Sequence, residues 1–592
     1  MTSLFYWVRR LYSLDTLDPR FTVSSTTPLK ATGDAGPPTT KDARANAIAS
    51  GSSPSKWGTP EFYFYYFIFI TVVPMMFKTV VDVSQESFPT YSTYEHLLST
   101  GWIPGRKVDN SDAQYATFRD NIPYLLTLLV AHPLLRRVYE YCTSSSRYGS
   151  SSPIAAGDTR LARRIPFDFY FALLFIVALH GVSAVKVLVL LYINYRIGKT
   201  LPRPYIPAVT WIFNICILFA NELCSGYRFE KVAMLFTSSA GVPGEQESQL
   251  VQWGRMLDSF GGIMPRWEVL FNIAILRMIS FNMDYYWSLD YPAASPIEKK
   301  QLDPTALSER DRVNIPAEPS AFNPRNYLAY MLYSPLYLAG PILTFNDYIA
   351  QQRHASPSVT RTRTFLYGLR FFLTLLCMEL ILHYIYAVAI SKSTTDWSAY
   401  SPGQLSMLAF FNLHIIWLKL LIPWRFFRLW ALVDGIDPPE NMVRCMSNNY
   451  SAFAFWRGWH RSLNRWVVRY LYVPLGGGES PSKPTSTTTR TTNLVAKIRR
   501  VTNVLAVFTF MALWHDINLR LLMWGWLITL FVLPEVVATL LFPPQKWKTR
   551  PTAYRVLCGI GAVGNILMMM MANLVGFAVG LDGLKGLLEG IM

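Results

Sequence analysis

The feature that most limits what this chain can fold into is a succession of apolar runs, starting at "FYFYYFIFITVVPMMF" (Phe62–Phe77) and recurring to residue 579. A bilayer's hydrocarbon core is about 30 Å thick and takes about 20 helical residues to cross. No water serves backbone amides there, so such runs must close their own hydrogen bonds as helices. Further runs centre on Tyr124–Leu135, Phe169–Tyr192, Ile206–Cys224, Val269–Ile279, Tyr327–Leu343 and Phe365–Ile390. The last are Leu405–Leu432, Val501–Trp514, Leu519–Leu541 and Val556–Val579. At about 20 residues per span, they predict an all-α polytopic membrane protein with roughly ten to twelve transmembrane or re-entrant helices. Several runs are short, which fits re-entrant or tilted pieces lining a polar cavity. Composition agrees: the 592 residues are 51% hydrophobic and only 16% charged, against about a quarter charged in soluble domains.

The charge pattern sets the organisation. Residues 1–58 read as a cytosolic N-terminal tail and 59–592 as one membrane domain. The tail carries Arg9, Arg10, Arg20, Lys30, Lys41, Arg44 and Lys56. The loop after the first span is acidic (Asp82, Glu86, Glu95, Asp109, Asp112, Asp120), and the next is basic (Arg136, Arg137, Arg147, Arg160, Arg163, Arg164). This alternation keeps basic loops on the cytosolic side. The same preference explains the net charge of +17 through anionic headgroups rather than nucleic acid, for which no basic-aromatic motif is present. No cleavable signal peptide is legible. "TSLFYWVRRLYSL" reads either as an interfacial amphipathic stretch or as an irregular tail, and the Ser/Thr/Pro-rich Ser24–Lys56 as disordered. Six cysteines are scattered without CxxC or zinc spacing, so neither a disulfide frame nor a zinc site is indicated.

Two histidines stand out. "FMALWHDINLRLLMWGWLITL" (Phe510–Leu530) buries His515 and Asp516 in an otherwise apolar stretch. From Arg500, a helix to Trp514 climbs about 21 Å and places His515 past the midplane. An ionisable group at that depth is costly and is by default a functional candidate, with a hydrogen-bonded structural histidine as the alternative. The second stretch is "YSAFAFWRGWHRSLNRWVVRYLYVPLGGG" (Tyr450–Gly478), with His460 after Trp456 and Trp459. Arg461, Arg465 and Arg469 follow at spacing four, one face of a helix. They suit phosphate oxygens, or else snorkel to lipid headgroups. His180, His383 and His414 lie in apolar runs without a motif and read as structural. "PLGGGES" lacks a phosphate-loop Lys-Ser/Thr ending, and no Gly-x-Ser-x-Gly elbow occurs.

"FWRGWH" and "ALWHD", fifty-five residues apart with "YLYVPLGG" between them, resemble the membrane-bound O-acyltransferases. "RMISFNMDY" (Arg277–Tyr285) and "YSPLYLAGPILTFNDY" (Tyr333–Tyr348) match further blocks of that family. Within it the chain is similar to a fungal glycerol-uptake group related to the Hedgehog acyltransferase. The resemblance implies a ring-like helical bundle enclosing a tunnel, with the invariant family histidine falling on His515 and the second catalytic position on His460. It implies transfer of a very long saturated acyl chain from acyl-CoA to the sn-2 hydroxyl of the lyso-phosphatidylinositol of glycosylphosphatidylinositol anchors, in the endoplasmic reticulum and also at the plasma membrane. Partners are then acyl-CoA, lyso-anchored proteins or lysophosphatidylinositol, and membrane lipids.

In this chemistry a buried neutral imidazole is suited to take the hydroxyl proton. His515 is read as that base. His460 orients the acceptor or steadies the oxyanion, with Asn448 nearby. Trp456, Arg457, Arg461, Arg465, Arg469 and Trp514 are the candidate substrate contacts, and Asp516 a candidate partner for the His515 ring. No cofactor is required. By resemblance Cys445 is a candidate ligand for haem b; its plainer reading is a small buried residue. A glycerol–proton symporter predicts inverted repeats, and none is legible. A non-catalytic regulator fits poorly with retention of both histidines. The acyltransferase chemistry is also open to a protein or free-lysolipid acceptor.

Overall fold

The structure is a computed structural model; it describes residues 2–21, 56–143, 153–237, 248–264, 266–291, 305, 307–393, 397–477, 490–515, 517 and 519–591. The stretch Ser24–Lys56, apart from Lys56, lies outside the described residues, as does Asp516.

After an N-terminal helix α1 (Thr2–Leu11), eleven helices of 17 or more residues follow among the described residues. They are α2 (Pro60–Val83), α3 (Ile122–Thr143), α4 (Pro153–His180), α5 (Ala184–Thr200), α6 (Ile206–Leu223) and α7 (Trp267–Ser288). α8 (Arg361–Tyr384), α9 (Pro402–Val433), α10 (Arg490–His515), α11 (Leu519–Leu541) and α12 (Pro551–Asn573) complete them. Local chemistry sets several of their starts. Ser401 accepts from the Gln404 N–H while Gln404 accepts from the Ser401 N–H, a capping box with Pro402 at the first helical position of α9. The Thr360 hydroxyl accepts from the Arg363 N–H and caps α8.

Two expected spans come out differently. Phe169–Tyr192 is two helices, because the chain turns at Gly181 with φ of +54°. A Cβ there would sit 2.0 Å from the Phe260 carbonyl oxygen, so only glycine permits the turn. α5 then runs back beside α7, with Asn194 donating to the Met278 carbonyl near its middle and Lys199 over the Tyr285 ring near its end. Tyr327–Leu343 is no span. It folds as two short buried helices, Pro324–Met331 and Ser334–Tyr337. The buried Arg277 donates to the carbonyls of Met331 (2.9 Å) and Leu336 (2.6 Å), so protein serves these backbone groups where lipid could not.

The amphipathic reading of the start holds for α1, which exposes Leu4, Phe5 and Trp7 and ends in Arg9 and Arg10. The next residues are not peripheral. Leu17 and Asp18 are buried, the Leu17 carbonyl accepts from Arg428, and Arg20 donates to the backbone of Asp437 and Pro438. The N-terminal segment is thus stapled beneath the end of α9. The core between the helices is aromatic: Phe281 packs on Tyr327, Phe322 and Phe345, and Tyr348 on Tyr330 and Tyr333.

Candidate active site

Two pieces of chain deliver the two histidines. His515 is the last residue of α10, and α11 begins four residues later. His460 sits between two short helices, Ala452–Gly458 and Arg461–Val467, in the left-handed conformation (φ 45°, ψ 53°). A non-glycine residue held there is strained, and such strain persists only where the surroundings impose it. The surroundings do so. Before it, the first helix is capped by Ser451, whose hydroxyl accepts from the Ala454 N–H at 3.1 Å. Glu535 of α11 accepts from the Ser451 hydroxyl (2.5 Å) and the Ala452 N–H (2.8 Å), a carboxylate at a helix N-terminus. After it, Asn441 accepts from the Arg461 N–H through its carbonyl (3.0 Å) and from the Ser462 N–H through its side chain (3.2 Å). The Ser462 hydroxyl in turn accepts from the Ile342 N–H at 2.9 Å.

Trp514 joins the two imidazoles. Its ring lies 6.3 Å from that of His460 and 4.7 Å from that of His515. Asn272 of α7 fixes it, accepting from the indole N–H at 2.8 Å and donating its amide to the Trp514 carbonyl at 3.2 Å. His460 also stacks on Trp424 at 4.3 Å, and His515 meets Trp524 edge-on at 6.3 Å. The site is therefore lined by indoles, which suit a greasy substrate. Against the expectation of a buried imidazole, His515 is exposed to the space beside it, and His460 is half-buried.

Two cavities lie near this pair: His515 lines the smaller, while the larger reaches Ser462, two residues after His460, and is lined by neither histidine. The larger, about 1300 Å³, is lined by Arg20, Trp287, Asp290, Asp347, Ser462 and Trp466 among others. The smaller, about 240 Å³, is lined by Asn221, Arg266, Glu268, Asn272 and His515 itself. α7 shows how they are arranged: Glu268 and Asn272 at its start face the small cavity, and Trp287 at its end faces the large one. A helix of 22 residues is about 33 Å long. The cavities thus open at opposite ends of the bundle, the large one on the side that holds the N-terminal segment.

The structure separates the remaining sequence candidates. Trp456 packs against Trp524 (5.7 Å) and Phe508 (5.6 Å) beside the pair. Arg457 is exposed. Asn448 is exposed in the turn Met446–Asn448, and among the described residues no ring or hydrogen-bond contact joins it to either histidine. The arginine stripe exists, but each member faces a carboxylate: Arg461 meets Asp18 (3.0 Å), Arg465 meets Glu309, and Arg469 meets Asp284 (3.0 Å). Arg465 and Arg469 line the large cavity, whose other guanidiniums include Arg310 and Arg312. Ion pairing makes the stripe a structural seam as well as a candidate phosphate contact.

Cys445 is half-buried, 3.2 Å from the Ser447 hydroxyl. Burial pushes its thiol up, but hydrogen bonds with His414 and Ser447 outweigh this and leave it below the usual thiol range. That environment favours the thiolate an iron takes, so the donor fits the expected haem. Among the described residues no group of three or more His, Cys, Asp or Glu is placed to hold a metal ion. His180 bonds Met264 and Tyr337, and His383 bonds Glu379 and accepts from the Trp102 N–H, as expected of structural histidines. His414 bonds the Phe410 carbonyl and Ser447. Sequence reasoning missed Asn272, Trp424 and Asn441, which are single residues in ordinary apolar or polar stretches with no motif around them, and passed over Ser462 although it stands two residues after His460.

Residues 252–581 match the membrane-bound O-acyltransferase family. The chain is 43% identical over 590 residues to a Candida tropicalis protein named membrane-bound O-acyltransferase GUP1, covering 99% of this chain and 89% of that one. It is 44% identical over 544 residues to the protein of the same name from Saccharomyces cerevisiae, covering 91% and 87%. A mouse protein-cysteine N-palmitoyltransferase, HHAT, is 29% identical over 260 residues, covering 42% and 48%.

Proposed function

The chain belongs to the membrane-bound O-acyltransferase family, and from that premise we propose that it moves a very long fatty acyl chain from acyl-CoA to the sn-2 hydroxyl of lyso-phosphatidylinositol in glycosylphosphatidylinositol anchors, in the endoplasmic reticulum membrane. The observation that supports the reading is the histidine pair bridged by Trp514, with a cavity toward each end of α7, one lined by His515 and the other reaching Ser462 beside His460. A thioester made on one side and a hydroxyl presented on the other reach such a site without either headgroup crossing the bilayer. Acyl-CoA takes the large cavity on the N-terminal side, with Arg310, Arg312, Arg465 and Arg469 near its phosphates. The acceptor takes the small cavity at His515.

His515 removes the hydroxyl proton as the oxygen attacks the thioester carbonyl, and the C–O bond forms. His460 faces the same centre and supplies a hydrogen bond to the developing oxyanion. Collapse of the tetrahedral species breaks the C–S bond, and the proton held by His515 passes to the departing thiolate, leaving CoA and the acylated lipid. The left-handed backbone of His460, clamped by Asn441 and Glu535, fixes its ring before substrate arrives. Cys445 would hold a haem b iron through its sulfur, and that group would supply redox-capable iron that transfer between a thioester and an alcohol does not use.

The test is to express His515→Ala and His460→Ala chains and analyse anchor lipids by mass spectrometry. Lyso-anchors accumulate in both at unchanged protein levels if the reading holds. Normal anchors in both contradict it. In parallel, glycerol flux into liposomes without any acyl transfer would instead favour the symporter.

A further inference from the structure

Asn221, near the end of α6, lies on the wall of the small cavity. Its side chain is 2% exposed, and neither its amide nitrogen nor its amide oxygen has a hydrogen-bond partner. Among the described residues it is the one side-chain amide with both atoms buried and unpartnered. The turn that follows does not use it: the Gly226 N–H bonds the Asn221 backbone carbonyl, at 3.1 Å. One helical stretch away, Asn214 shows what a structural asparagine does here. Its amide nitrogen donates to the Thr210 carbonyl (2.8 Å) and to the Asn194 side chain (3.2 Å), and only its oxygen is buried without a partner.

Buried polar groups in folded proteins are nearly always paired, so an orphaned amide facing a cavity calls for a ligand that completes it. A side-chain amide offers a donor and an acceptor side by side, and neighbouring hydroxyls offer the matching acceptor and donor. At about 240 Å³ the cavity is smaller than the 300–1000 Å³ or so of sites that enclose a drug-sized molecule. It fits one polar ring or polyol rather than a whole lipid. Leu218, Val269 and Leu513 give that group an apolar wall. On the rim, Arg266 is already paired with Glu268 at 3.4 Å, and Glu222 adds a second carboxylate. This balance suits an uncharged or amine-bearing headgroup rather than a phosphate at this spot.

We propose that Asn221 hydrogen-bonds the hydroxyls of a polyol or sugar on the acceptor and so orients the acceptor toward His515. The proposal rests on the acyltransferase reading above and adds a residue that selects the acceptor. The experiment uses purified wild-type, Asn221→Leu and Asn221→Ser proteins in detergent. It measures binding of radiolabelled lysophosphatidylinositol and of lysophosphatidylcholine, acyl transfer to each, and thermal unfolding. Loss of two hydrogen bonds predicts a rise of about tenfold in Kd and KM for lysophosphatidylinositol in Asn221→Leu, and a smaller rise in Asn221→Ser, whose shorter hydroxyl keeps one donor and one acceptor. The KM for acyl-CoA and the binding of lysophosphatidylcholine stay within about twofold. Asn221→Leu melts no lower than wild type, since a near-isosteric apolar side chain replaces an unpaired amide. Unchanged lysophosphatidylinositol binding in both variants overturns the proposal, as does a lowered melting temperature with binding intact, which marks a structural amide. If wild type binds lysophosphatidylinositol but transfers nothing to it, the acyl-transfer reading falls while the binding ratio still decides on Asn221. Failure of wild type to bind it at all overturns the proposal directly.

Discussion

The two ends of α7 differ in how their polar groups are satisfied. At the end near the N-terminal segment, Arg428 meets Asp437 (2.9 Å) and Glu440 (3.1 Å), and Arg363 also meets Asp437 (3.1 Å). A neighbouring group joins Arg136 and Arg164 to Asp434, with the Tyr333 hydroxyl donating to the same carboxylate at 2.5 Å. At the other end the Asn221 amide is buried without a partner. The first arrangement fixes the chain: each of these buried charges faces an opposite charge, so the pairing specifies which segments meet. The second is incomplete, as a site must be before its substrate arrives. The histidines stand between the two regimes, placed by packing and backbone geometry rather than by charge.

The largest effect is expected where that contrast is broken at the paired end. Asp437→Ala strands Arg363 and leaves Arg428 with Glu440 alone, and removing one partner of a buried pair costs about 3–5 kcal/mol. Folded yield by size-exclusion chromatography should fall sharply. A variant that purifies with an unaltered melting temperature would mean the pairs are not needed to hold this end. His460→Ala touches no ion pair. It should lower acyl transfer by about 10²–10³ while the melting temperature moves little, as for loss of an oxyanion donor. A melting temperature that falls with activity would instead make His460 part of the scaffold.

How much of this was legible in the sequence follows from range. The apolar runs predict roughly ten to twelve transmembrane or re-entrant helices; among the described residues eleven helices reach 17 residues, and seven are long and apolar enough to cross a membrane. Tyr327–Leu343 is apolar enough to read as a span, yet its carbonyls depend on Arg277, more than fifty residues earlier, and no local pattern shows that. The turn at Gly181 was equally hidden, because a lone glycine in an apolar run does not announce a reversal. His460 and His515 were legible because an ionisable residue among tryptophans in a greasy stretch is rare. Their bridging by Trp514 was not, and neither was the Asn272 lock on it. The tail read as cytosolic from its arginines, but Asp18 and Arg20 belong to a network with residues some 420 positions away, such as Asp437 and Pro438.

That network gives a smaller prediction. Burial pushes the Asp18 carboxyl up, but Arg20 and Arg428 outweigh burial and hold it at about 2. A carboxylate depressed by folding adds stability above its unfolded pKa, near 3.9, and loses it as pH falls through the folded value. The melting temperature should therefore drop between about pH 4 and pH 2, a change worth about 2 kcal/mol, and Asp18→Asn should flatten that part of the profile. An equal slope in both proteins would remove Asp18 from the account. The smallest effect belongs to the sulfur site. Cys445→Ser should abolish any haem absorption band of the purified protein and leave acyl transfer within about twofold of wild type. A parallel loss of transfer would tie that site to the reaction.

The most direct measurement of the central claim is a cryo-electron microscopy structure with a non-hydrolysable acyl-CoA analogue and lysophosphatidylinositol bound together. The account predicts the CoA headgroup in the large cavity and the lipid headgroup in the small one. The reacting carbonyl and hydroxyl should lie about 3–3.5 Å apart, beside His515 and within reach of His460. Density that places both ligands in one cavity, or the carbonyl remote from both imidazoles, would contradict it.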